Sequence, residues 1–122
     1  MERVDYAYQQ HRYWTHQDFG DQLPSQVAKD RFTFCFISDA AGIETRHLIG
    51  IDKLTWECDY PHSDSTWPHS PETLMKQLAG VPDDEIDKVT HQNAMRLFRY
   101  DPFAHRPRER CNVGALRAEV AD

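Results

Sequence analysis

The chain has 122 residues, a formal net charge of -6 at pH 7 and a pI near 5.6. This length allows one domain at most. The acidic balance argues against a general nucleic-acid binder, which usually carries a basic stripe, and no apolar run approaches the roughly 20 residues of a membrane-spanning helix. The sequence therefore predicts neither a nucleic acid nor a membrane as a partner.

The first part of the chain, residues 1–22, mixes aromatic and polar residues without a period of 2 or 3.6. We expect an irregular aromatic-rich segment there, packed against something larger. The aromatic and histidine residues are Tyr6, Tyr8, His11, Tyr13, Trp14, His16 and Phe19.

Two strands follow in the pattern. Phe32–Ser38 is short, β-prone and almost continuously apolar, which predicts a strand buried on both faces. Asp39 is then a candidate N-cap of a short helix that ends near Ile49, because Gly50 suits the position after a helix. Leu54–Asp59 is the second predicted strand.

Side chains alternate along this second strand. Its apolar face carries Leu54, Trp56 and Cys58, and its polar face carries Thr55, Glu57 and Asp59. Two carboxylates on a buried strand need a cation, an arginine or a proton. The pattern therefore indicates a binding or catalytic site at Asp59. The alternatives to such a site are a structural ion pair, or a carboxylate of Asp59 that caps the turn at Tyr60–Pro61.

The remaining pattern is helical. Ser70 as N-cap and Pro71 after it predict a helix that ends near Gly80. A second helix opens at 81–84, and the uneven spacing of its apolar residues allows a kink near Asn93. The apolar residues of this second helix are Ile86, Val89, Ala94 and Leu97. Residues 104–122 are predicted to be a polar tail.

The order strand, helix, strand, helix, helix indicates βαβ units and a parallel sheet, an α/β fold. Two parallel strands leave two open edges and much apolar surface, so the chain is expected to be part of something larger.

The cysteines Cys35, Cys58 and Cys111 are too widely spaced for a disulfide framework or a zinc ribbon. Cys35 and Cys58 lie in apolar runs and are predicted to be buried. This usage indicates a reducing, cytoplasmic location, and the first residues lack the apolar stretch of a signal peptide.

Four segments, 34–43, 47–52, 56–68 and 93–98, resemble the C-terminal part of the amidohydrolase-related family. These are metal-dependent (β/α)8-barrel hydrolases and decarboxylases. The most specific segment is the run from Asp59 to Pro68, Asp-Tyr-Pro-His-Ser-Asp-x-x-Trp-Pro. The resemblance covers about residues 20–103 and divides the chain into an N-terminal segment 1–22, a barrel portion 23–103 and the tail 104–122.

The resemblance implies that Phe32–Ser38 and Leu54–Asp59 are strands 7 and 8 of a TIM barrel. Asp59 would then bind the catalytic divalent metal, usually zinc, or accept a proton from its water. Glu57 and His62 would line the site. The implied reaction on a small-molecule substrate is hydrolysis or decarboxylation.

The chain departs from this family in its missing ligands, because it has no His-x-His pair; His11 and His16 are five positions apart. We therefore expect a fragment (a truncated gene, a wrongly assigned start or half of a split enzyme), inactive and without tightly bound metal on its own. Whether the chain is itself an enzyme stays open. The alternatives are a non-enzymatic partial barrel that assembles with a partner chain or itself, and a small zinc protein using Asp59, His62 and His69.

Overall fold

A computed structural model of the chain describes residues 1–120. These residues form two compact units, Met1–Phe34 and the chain from Cys35 onward. In chain order the helices and strands are α1 (Glu2–Thr15), α2 (Pro24–Arg31), β1 (Phe34–Phe36), α3 (Ala40–Glu44), α4 (Arg46–Ile49), β2 (Leu54–Trp56), α5 (Ser70–Gln77), α6 (Asp83–Asp87), α7 (Asn93–Phe98) and α8 (Val113–Glu119). No helix among these residues is long and apolar enough to cross a membrane.

The first unit contains a helix where the sequence predicts an irregular segment. Helix α1 has no continuous apolar stripe: Tyr8 is buried, whereas Tyr13 and Trp14 are exposed. The sequence of α1 therefore shows no helical period of apolar residues. The Tyr8 hydroxyl accepts a hydrogen bond from the backbone N–H of Phe19 at 3.2 Å, and the two rings pack edge to face at 5.3 Å. This contact folds the segment after α1 back onto the helix.

Strands β1 and β2 are neighbours in a two-stranded sheet within the described residues. Their connection, residues 37–53, contains α3 and α4, the helical type of crossover that parallel strands require. This mixture of helices with a small sheet confirms the predicted α/β class at a coarse level. The prediction that the first strand is buried on both faces is wrong, because Cys35 is exposed. Phe36, on the opposite face, packs against the core.

The crossover begins and ends as its capping residues predict. The Asp39 carboxylate accepts a hydrogen bond from the backbone N–H of Gly42 at 2.8 Å, which satisfies one of the free donors at the start of α3. Gly50 adopts a φ of 107° after α4, a conformation that side chains with a Cβ rarely adopt. The helix is broken at Thr45 into α3 and α4.

The main apolar core lies in the second unit and is small. Ile43, Leu74 and Leu78 are buried together. One face of the sheet packs on this cluster through Phe36 and Trp56. The helix layer therefore covers the side of β2 that carries Trp56.

The predicted kink near Asn93 corresponds to a π-helical turn, Lys88–Gln92, between α6 and α7. The N–H of Asn93 bonds the carbonyl of Lys88, five residues earlier, which accounts for the five-residue spacing between Val89 and Ala94. The Asn93 side chain, 2% exposed, donates to the carbonyl oxygens of Ile51 at 2.8 Å and Leu54 at 2.7 Å. This residue therefore ties the π turn to the start of β2.

Helix α5 begins one residue earlier than predicted. His69 is its N-cap and Ser70 is its first residue. The Ser70 hydroxyl is buried and accepts a hydrogen bond from Thr66 at 2.9 Å instead of capping the helix. The helix ends at Gln77, before Gly80.

The predicted polar tail contains regular structure. Helix α8 begins at the side chain of Asn112, which accepts a hydrogen bond from the N–H of Ala115 at 2.9 Å. Arg117 donates two hydrogen bonds to the Glu72 carboxylate on α5, at 2.6 and 3.1 Å. Periodicity gave no sign of this helix because ion pairs, rather than an apolar stripe, attach it. The predicted tail also includes residues 121–122, which lie outside the described residues.

We expect the attachment of α8 to weaken in acid. Its hydrogen bonds from Arg117 hold the pKa of Glu72 at about 2, below the ordinary 4.5. Because the folded pKa is lowered, the stabilisation is complete above the unfolded pKa and is lost as pH falls toward the folded one. Hydrogen bonds from Arg106 and Arg110 to Glu119 likewise lower the pKa of Glu119 to about 2. These bonds should also weaken as the pH falls.

The measurement is the ¹H–¹⁵N heteronuclear NOE of the α8 amides at about pH 6 and about pH 3. The NOE should fall at the lower pH. Glu72→Gln should lower it already at the higher pH. The control Glu44→Gln alters an exposed carboxylate elsewhere in the same unit, and should leave it unchanged. The prediction is contradicted if the wild type and the two variants give the same NOE at both pH values.

Candidate functional site

The candidate site lies in the loop between β2 and α5. The sheet ladder extends one residue past β2, since the N–H of Glu57 donates to the carbonyl of Phe36 at 3.1 Å. The N–H of Thr66 then donates to the carbonyl of Cys58 at 3.3 Å. This second bond closes the loop at its base and holds its returning part beside residues 58–59.

Asp59 lies near the start of this loop in an unusual backbone conformation. Its φ is 54°, the left-handed region that Asp tolerates better than most residues with a Cβ. Its carbonyl accepts a hydrogen bond from the N–H of His62 at 2.8 Å, which closes a turn. The strand predicted to reach Asp59 ends at Trp56, so this residue stands on the loop and not on a strand face.

The Asp59 carboxylate pairs with the His62 ring. Asp59 Oδ2 lies 2.9 Å from His62 Nδ1. The Asp59 side chain is 24% exposed and that of His62 is 74% exposed. A carboxylate that bonds one ring nitrogen orients the imidazole and leaves the other nitrogen available to accept or release a proton. The N–H of His62 bonds the Asp59 carbonyl and not its carboxylate, so the bond of the carboxylate within this turn is to the His62 ring.

Glu57 does not share a buried face with Asp59. Its side chain is exposed and lies beside Cys35. Partial loss of solvent around the Cys35 sulfur is the largest cause of the raised pKa of this thiol, and the charge of Glu57 adds to it. The two carboxylates therefore need no common cation. The predicted alternation failed here because β2 ends before either residue.

The aromatic pair Tyr60 and Trp67 was missed by the sequence analysis. Their ring centroids are 5.7 Å apart, with an angle of 60° between the planes. Both belong to the specific segment 59–68, and each precedes a proline, but in the sequence they indicated only turns.

The chain belongs to the amidohydrolase family. The family model described as Amidohydrolase matches residues 5–100, most of the chain, and extends the resemblance to include α1. A search of curated proteins finds no matching sequence. Members of this family usually use a divalent metal ion.

The residues present do not fit a complete metal site. Zinc takes about four ligands, or three and a water in a catalytic site. Asp59 and His62 are the two candidate donors that the loop brings together, and among residues 1–120 no group of three or more histidine, cysteine or acidic residues could hold a metal ion. His69 does not join them, so the small zinc site of Asp59, His62 and His69 was a wrong alternative.

Proposed function

We propose that the chain supplies the closing part of a metal-dependent hydrolase of the amidohydrolase family. In this proposal β1 and β2 are strands 7 and 8 of a (β/α)8 barrel. The observation that carries it is the Asp59–His62 pair in a hydrogen-bonded loop directly after β2, inside the matched segment. In TIM barrels the loops after the strands build the active site.

Within the intact enzyme, we assign Asp59 to the metal site, as a ligand or as the proton acceptor. Zinc is the metal we propose. Glu57 and His62 would line the site around a small-molecule substrate. The reaction is hydrolysis, with decarboxylation as the related outcome on the same scaffold. We also propose a cytoplasmic location, which the three free cysteines support.

Alone, the chain should bind zinc substoichiometrically and hydrolyse nothing, because two donors make a weak site. The measurement is metal content after purification in zinc-containing buffer, together with turnover of a chromogenic anilide. One tightly held zinc per chain, with turnover that Asp59→Asn removes, contradicts the incomplete-site proposal.

The assignment of Asp59 needs a complemented barrel. The chain is mixed with the preceding strands of a barrel from the same family, and zinc-dependent turnover is measured. Wild type and the control Asp64→Asn, which alters an exposed acid in the same loop, should restore turnover. Asp59→Asn should not, since the amide cannot accept a proton and is a weaker ligand. Equal turnover by all three overturns the assignment.

A second candidate function is a non-enzymatic module that assembles with a partner chain or with itself. Exposed apolar side chains at the end of α7 favour it: Leu97, Phe98 and Tyr100 are 50, 73 and 55% exposed. Sedimentation velocity should then show self-association that rises with concentration and that Phe98→Ser weakens. A strictly monomeric, folded species at all concentrations argues against assembly with itself.

A further inference from the structure

The first unit, residues 1–34, contains a cavity of about 390 Å³. This volume falls within the range of small-molecule binding sites, about 300 to 1,000 Å³. One wall of the cavity is helix α1, and the other belongs to residues 17–24, which follow the helix. The cavity therefore lies entirely within one compact unit of the chain.

A single face of α1 forms the first wall. Its spacings of three, one, three and four residues follow the helical repeat. Two of the five side chains are polar, so this face shows no continuous apolar stripe in the sequence. The lining residues on α1 are Val4, Ala7, Tyr8, His11 and Thr15. Val4 is 55% exposed, so the cavity is open to solvent on its side.

The Tyr8 hydroxyl provides an unused donor at this cavity. Tyr8 is 8% exposed, and its oxygen accepts a hydrogen bond from the N–H of Phe19 at 3.2 Å. Both residues line the cavity, so the hydroxyl lies where the two walls meet. A hydroxyl can also donate one hydrogen bond, and the Tyr8 hydroxyl has no acceptor among residues 1–120. Because an unpaired buried donor is costly, the cavity favours a molecule that carries an acceptor.

The other polar groups of the cavity favour an uncharged ligand. The indole N–H of Trp14 donates to His11 Nδ1 at 3.2 Å, which leaves the proton of the neutral ring on Nε2. His11 therefore keeps a donor, about one helical turn from Tyr8. No lysine, arginine or acidic residue is among the described residues that line the cavity. An ionised ligand would lose water without gaining an opposite charge, which is unfavourable.

We propose that this cavity binds a small uncharged ketone, with its apolar part against α1 and Phe19 and its oxygen accepting a hydrogen bond from Tyr8. A carbonyl oxygen has two lone pairs, so it can accept from His11 as well. Burial of the apolar part supplies most of the affinity. The inference goes beyond the proposed function, because every lining residue lies in the first unit and none in the Asp59 loop.

The test is an NMR titration of the full chain with acetophenone and with α-methylstyrene, in which a CH₂ group replaces the carbonyl oxygen. The two probes have nearly the same shape, and only acetophenone accepts a hydrogen bond. Both should give intermolecular NOEs to the methyl groups of Val4 and Ala7. NOEs to other residues only, or chemical shifts that do not saturate, overturn the proposal.

Two variants assign the hydrogen bond. Tyr8→Phe should weaken the binding of acetophenone roughly two- to tenfold more than that of α-methylstyrene, the effect of one hydrogen bond. The control Tyr6→Phe should weaken neither, because Tyr6 lies on the same helix, is 53% exposed and does not line the cavity. An equal loss for the two probes with Tyr8→Phe overturns the proposal.

The carbonyl ¹³C resonance of acetophenone decides on the wild-type chain if Tyr8→Phe does not fold. A carbonyl that accepts a hydrogen bond in the cavity should keep a resonance near its position in water. Movement upfield on binding, toward the position in an apolar solvent, shows that no donor reaches the oxygen and overturns the proposal.

Discussion

Replacing Asn93 with alanine is expected to lower the free energy of unfolding of the unit from Cys35 by about 2 to 4 kcal/mol. The Asn93 amide donates two hydrogen bonds, to Ile51 and Leu54, from a position that is 2% exposed. Its own oxygen accepts a hydrogen bond from Arg96 at 2.9 Å. The substitution leaves acceptor carbonyls near the start of β2 without a donor, and an unmade buried hydrogen bond is costly.

The measurement is urea unfolding followed by tryptophan fluorescence. The midpoint should fall while the slope against urea stays constant, which signals a change in stability alone. The control Gln92→Ala removes a neighbouring side chain of the same type that is exposed, and should change stability by less than about 0.5 kcal/mol. A loss for Asn93→Ala no larger than that of the control contradicts the role of these bonds.

Asn93 also shows what the sequence could reveal and what it could not. Irregular spacing of apolar residues placed a disturbance near it correctly, because a π turn shifts the helical period. The residue's partners, the carbonyls before and within β2, lie 42 and 39 positions away in the chain. No local pattern connects an amide in a helix to a distant carbonyl, so its bonds were visible only in the structure.

The caps at Asp39 and Gly50 were predictable because their chemistry is local, whereas the predicted cap Ser70 became the first residue of α5 and the strand ends were not predictable. Asp39 and Gly50 act within three or four residues of their own positions. The length of a strand depends on neighbouring strands that supply hydrogen bonds. Each predicted strand is therefore longer than the observed one, and Glu57 and Asp59 moved from a strand face into a loop. The sequence placed a turn after the second strand, but neither the left-handed backbone at Asp59 nor its bond to His62 could be predicted from local patterns.

Among substitutions in the apolar core, Leu78→Ala is expected to lower the free energy of unfolding the most. Leu78 is 1% exposed and packs with Ile43 and Leu74 beneath the sheet. Removing its branched end creates a cavity, and such changes cost about 2 to 5 kcal/mol. A unit of this size has a total stability of only about 5 to 10 kcal/mol, so the variant should lose a large part of it.

Leu48→Ala is the matched control, because Leu48 is 69% exposed on α4. Thermal unfolding should show a clearly lowered midpoint for Leu78→Ala and a nearly unchanged one for Leu48→Ala. Because Trp56 packs against the same cluster and donates its indole N–H to the carbonyl of Ile37 at 3.2 Å, the cavity should also loosen the sheet from which the Asp59 loop starts. If unfolding midpoints of the two variants coincide, the cluster is not what holds β2 in place, and the loop depends on its own hydrogen bonds for its position.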